Sequence, residues 1–119
     1  MSTSLNPNAF TFAKRLIENG EIDNNAGHWG EQNPDAAEEN SFLQEHEYEV
    51  YSNWHLGLDM SKGEHTKARY KFPYGDFRTV HRQGLTAAKQ RAAQQGYMDI
   101  EKAADKLLQL LEKQTRANP

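Results

Sequence analysis

Residues 41–59, SFLQEHEYEVYSNWHLGLD, decide how this chain folds. Ser41 suits a helix cap. Leu43, His46, Val50, Trp54 and Gly57 then recur on one side at helical spacing, with Tyr51 beside them. The alternation in EHEYEVY supports a competing strand. The sustained helical period and the following glycine favour a helix over the whole stretch. On that reading the fold is mainly α, a small domain of about four helices.

Working outward, NPNAFTFAKRLIENGEI predicts a first helix. Asn6 or Asn8 can cap it, Pro7 suits its opening and Gly20 its end, while Phe10, Ala13, Leu16 and Ile17 form one apolar face. Residues 21–40 carry Asn, Asp, Glu and Gly throughout and predict an acidic loop, with one helical turn over 34–39. Trp29 is its sole large apolar residue after Ile22 and suggests that the loop folds back on a core. Beyond 59 lies a connector with Gly63, Pro73 and Gly75, and a short extended piece is expected at 69–72, because a residue before proline avoids helical geometry. The firmest expectation is a C-terminal helical hairpin over 76–115. Asp76 caps its first helix and Gly96 ends it, and Val80, Gly84, Leu85, Ala88 and Ala92 make a seam of mostly small residues. Asp99 caps the second, whose Ile100, Ala103, Ala104, Leu107, Leu108 and Leu111 are bulkier. The whole of 1–119 reads as one domain.

The composition narrows the chemistry. There is no cysteine, which removes disulfides, thiolate nucleophiles and the commonest structural zinc sites. No apolar run approaches the ~20 residues that span a bilayer, and the first residues lack a signal-peptide pattern, so a cytoplasmic protein without a membrane partner is expected. The net charge of -3 hides a division at Asp59. Residues 1–59 carry two cations and eleven carboxylates, whereas 60–119 carry twelve cations and six carboxylates. Attraction between the two halves on folding is one use of that division; a charged face open to a partner is the other.

Three groups of residues could carry chemistry. Asp23, Asn25, Glu31, Asp35, Glu38 and Glu39 offer the hard oxygen donors that calcium takes from acidic loops. Their spacing is not that of an EF-hand, since counting from Asp23 puts His28 at the turn glycine and Pro34 at the bidentate carboxylate. Calcium is thus a candidate ion bound irregularly, and no other cofactor is expected. The histidines lack the four-residue helical pair typical of zinc sites and read as structural. The third group follows the turn RYKFPYGD, where Arg69, Lys71, Tyr74, Arg78, His81 and Arg82 combine cations with aromatic rings and form a candidate partner-binding surface. Packing against the acidic half of this same chain suits it first, an acidic partner protein next, and nucleic acid last because the chain as a whole is acidic. No nucleophile elbow or phosphate loop occurs, so no enzyme is expected.

Tyr70, Lys71, Phe72, Pro73, Tyr74 and Gly75, followed by Val80, His81, Arg82, Gly84, Leu85, Ala87, Ala88, Lys89, Arg91 and Ala92, resemble a family of small uncharacterised bacterial and prophage-associated proteins. A similar proline-containing turn leading into an alanine-rich helix accompanies some phage capsid-maturation proteins. The resemblance covers about half the chain. It points to a phage or mobile-element origin and implies no known activity and no assigned catalytic residue; the expected role is a non-enzymatic adaptor or inhibitor that binds a protein partner through a charge-polarised surface. A calcium-binding regulator is the alternative.

Overall fold

The computed structural model describes residues 3–24, 29 and 33–117. Within them two small sheets are packed against helices, so the fold is α+β and the expectation of a mainly helical domain is corrected. The order is β1 (Thr3–Leu5), α1 (Pro7–Glu18), β2 (Ile22–Asp23), α2 (Ala36–Glu45), α3 (Tyr48–Ser52), β3 (His55–Asp59), a 3-10 turn (Lys67–Arg69), β4 (Tyr70–Pro73), β5 (Val80–His81), α4 (Arg82–Gln95) and α5 (Met98–Ala117).

The error lies in 41–59, which divides into three elements. Its helix starts earlier than Ser41 because Asp35 and Glu38 form a reciprocal capping box: Glu38 N donates to Asp35 Oδ1 at 2.8 Å and Asp35 N to Glu38 Oε1 at 3.3 Å. The helix stops where His46 turns extended (φ -134°, ψ 154°). After the short α3, HLGLD is the central strand of an antiparallel sheet ordered β1-β3-β4, with Leu5 opposite Gly57 and Leu58 opposite Tyr70. Five residues are too few for periodicity to separate strand from helix. What makes β3 a strand is backbone pairing with segments more than ten residues away on either side, which no local window contains.

Asn6 fastens that strand to α1. It occupies the N-cap position but does not cap; its buried side-chain amide donates to Ser52 O and Oγ and to His55 O, at 2.9 to 3.1 Å. The core lies where α1 (Ala9, Ala13, Ile17), α4 (Leu85, Ala88, Ala92) and α5 (Ile100, Ala104, Leu107, Leu111) meet Trp54, Leu56, Phe72, Tyr74 and Val80. The expected small-residue seam is buried throughout, and α4 and α5 form the antiparallel hairpin, with Arg82 reaching Glu112 and Lys89 reaching Asp105. Gly96 ends α4 in the left-handed conformation (φ 79°) that glycine adopts without steric cost.

A second correction concerns Asp76, which caps a turn and not a helix. Its Oδ1 accepts from the Arg78 and Thr79 amides at 2.9 and 2.7 Å, and its Oδ2 from Thr79 Oγ1 at 3.0 Å. Val80 and His81 then extend to pair in parallel with Ile22 and Asp23, so α4 begins at Arg82. Strain is stored on both sides of Tyr74: Phe72 within β4 and Phe77 in the turn have positive φ, 62° and 70°. Such backbone costs about 1 to 3 kcal/mol per residue and persists only where neighbours hold it. Phe77 is held by a stacked contact with Phe42 (4.3 Å) and Phe72 by the edge of Tyr97 (5.9 Å).

Candidate functional site

The expected partner-binding residues do not share a surface. Tyr74 is fully buried, its hydroxyl donating to Asn53 O at 2.6 Å, and burial raises its pKa. His81 is buried beside Asp76. Arg82 donates to Glu112 at 2.9 Å and to Asn24 at 3.3 Å. Lys71 is exposed and lines a cleft with Arg91 and Tyr97, whereas exposed Arg78 lines a different cleft facing α2. Arg69 belongs to a third, its guanidinium donating to Lys62 O at 3.0 Å and lying 3.3 Å from Met60 Sδ.

The candidate calcium ligands are also dispersed. Asp35 and Glu38 are engaged with one another's backbone at the start of α2. Glu39 accepts from the Tyr51 hydroxyl at 3.0 Å and pairs with Lys67 at 3.4 Å, while Asp23 lies 3.7 Å from His81. Asn25 and Glu31 lie outside the described residues. Replacing Asp35 with alanine removes the capping box and should cost about 1 kcal/mol, visible as reduced urea resistance together with increased amide exchange over Ala36 to Glu39.

Among the described residues the two halves of opposite charge meet in the Lys67–Glu39 ion pair and in the approach of His81 to Asp23. Most of the acidic charge therefore remains at the surface. It concentrates over 35–49, which holds six carboxylates and no lysine or arginine. Helix α2 there has no fully buried residue and is tied to the body chiefly by Phe42, Glu39 and Tyr51.

Between α3 and the connector leading to β4 runs an open groove of about 840 Å³. Its wall on one side is α3, which presents Tyr48 with Glu47 and Glu49; on the other are Glu64, His65, Arg69 and Tyr70. The Tyr48 and Tyr70 rings stack at 5.9 Å and 16°, and His65 meets Tyr48 edge-on at 5.8 Å. Tyr70 is fixed from behind, its hydroxyl donating to Glu64 O at 2.6 Å. Burial also raises the Tyr70 pKa, so the ring presents a neutral phenol. Glu47, Glu49 and Glu64 are exposed, and none forms an ion pair among the described residues. The single guanidinium in the groove is the one already occupied by Lys62 O and Met60 Sδ. The result is a concave surface of stacked aromatic rings under a negative rim.

Of the groove residues only Arg69 is among the candidate site residues singled out from the sequence. The acidic–aromatic run EHEYE is visible there, but its partners arrive from sixteen to twenty-two positions later, and only the fold of β3 against β4 brings them across from α3. No protein-family model matches the chain, and comparison with curated proteins and with solved structures finds no match. Among the described residues no helix is long and apolar enough to cross a membrane.

Proposed function

We propose that this chain is a non-enzymatic interaction protein, an adaptor or inhibitor, that docks a basic segment of a partner protein in the groove between α3 and β4. The observation that carries this reading is the pairing of three exposed carboxylates, Glu47, Glu49 and Glu64, with the stacked Tyr48 and Tyr70 rings in one concavity. A lysine or arginine side chain can lay its charge over a tyrosine face for about 0.5 to 1 kcal/mol at an exposed site, while the carboxylates steer its approach. The acidic surface of α2 continues the same field along one side. Phosphate backbones are repelled by that rim, so the groove favours protein over nucleic acid.

A labelled lysine- and arginine-rich peptide tests the reading by fluorescence anisotropy. Reversing Glu47→Lys, Glu49→Lys and Glu64→Lys together should weaken binding tenfold or more, about 1.4 kcal/mol or above, and added salt should weaken it further. Reversing Lys71→Glu and Arg78→Glu should not weaken it. Loss of binding in the second variant with retention in the first would place docking on the cationic clefts and overturn the proposal.

A further inference from the structure

The parallel pair β2–β5 sets Asp23 directly beside His81, and the turn before β5 brings Asp76 to the same point. His81 Nε2 lies 2.9 Å from Asp76 Oδ2 and 3.7 Å from Asp23 Oδ2, and one ligand atom from each residue falls within 4.8 Å of the others. The imidazole is 4% exposed and packs 5.2 Å from the Trp29 ring, and its Nδ1 has no hydrogen-bond partner among the described residues. The ring is therefore oriented from its Nε2 side, where two carboxylates converge. Because carboxylates only accept, Nε2 carries a proton in the ion-free state, and that proton occupies the position a bound cation would take.

From this we infer that Asp23, Asp76 and His81 form a binding site for a divalent transition-metal ion, zinc foremost. An imidazole nitrogen with two carboxylate oxygens suits zinc, cobalt or manganese better than calcium, which prefers an all-oxygen shell. Asp76 is already oriented as metal-binding carboxylates are, by the Arg78 and Thr79 amides and the Thr79 hydroxyl. The ion takes the place of the Nε2 proton, which leaves to solvent from a cationic ring or moves to Nδ1 in a neutral one. Three protein ligands leave coordination positions for water or another donor. The ion would fasten β2, in the acidic half, to β5 and the turn in the basic half.

Zinc added to the ¹⁵N-labelled protein, followed by imidazole nitrogen spectra and calorimetry, tests the site. The expected result is saturable binding at one ion per chain, with the His81 Nε2 resonance displaced. Asp23→Asn should retain the wild-type circular dichroism and weaken zinc about tenfold or more. A His46→Gln, His65→Gln variant should bind as the wild type does, which separates this site from surface imidazoles. An unmoved His81 resonance, or equal affinity in Asp23→Asn, would overturn the inference.

Discussion

Replacing Gly84 with alanine should destabilise the protein by about 3 kcal/mol or more, a large part of the ~5 to 15 kcal/mol that holds a domain of this size together. A Cβ built on Gly84 would stand 2.5 Å from Tyr74 O, 2.8 Å from Tyr74 C and 2.9 Å from Tyr74 Cα. These are backbone atoms, unable to swing aside as a side chain can. Tyr74 O also accepts from His81 N at 3.0 Å, so pushing α4 away from the turn strains the bond that holds the residue before the helix. The same turn is compressed on its other side, where Gly75 lies against Thr79 O and the Trp54 ring with no room for a methyl group. Gly63 provides the comparison: its added Cβ meets only Thr66 Cγ2 at 3.7 Å, and Gly63→Ala should stay within about 0.5 kcal/mol of wild type. Urea unfolding of both variants measures the difference, and equal midpoints would show that α4 is free to move off the turn.

Acid should weaken the fold through His55 before it protonates the carboxylates. His55 is 3% exposed, between the Tyr51 and Tyr70 rings, and burial pushes its pKa from 6.5 down to about 4. Its Nδ1–H donates to Tyr51 O at 3.0 Å, which only partly offsets the cost of a buried charge. Above pH 6.5 the ring is neutral in both folded and unfolded chains. Below that the unfolded chain takes up a proton that the native ring refuses, so stability falls by about 1.4 kcal/mol per pH unit and by about 3 kcal/mol in total as the pH reaches 4. The Asp76 carboxyl has its pKa lowered, so its contribution is present above the ordinary carboxylate range and is lost at lower pH. Unfolding free energies of wild type and His55→Gln across this range separate the two. The difference should shrink the stability loss in the variant by most of that amount; an identical loss in both would mean that His55 titrates normally.

Where sequence and structure agree, the reason is local chemistry. The Leu85–Ala88–Ala92 face, its counterpart Ile100–Ala104–Leu107–Leu111 and the glycine that ends α4 are all set by residues within a few turns of one another. Where they part, the deciding contact is remote. Asp76 has the chemistry of a helix cap, but its carboxylate closes a turn because β2 is waiting to pair with Val80 and His81. Trp54 keeps helical spacing with Val50, yet Val50 is exposed while Trp54 is buried against Phe12, Tyr74 and Phe77. The cations after Arg69 looked like one surface because they are close in sequence, and the turn sends Lys71, Arg78 and Arg82 to three separate places. The groove was hidden for the opposite reason, since Tyr48 and Tyr70 stack across a gap in sequence that carries a strand and a loop.

Titrating a lysine- and arginine-rich peptide into the ¹⁵N-labelled protein and following every backbone amide tests the docking reading most directly. The groove account predicts saturable shifts at Tyr48, Glu49, Glu64, His65 and Tyr70, with none at Lys71 or Arg91. Shifts confined to the cationic clefts on adding an acidic peptide, with the groove amides unmoved by the basic one, would contradict it.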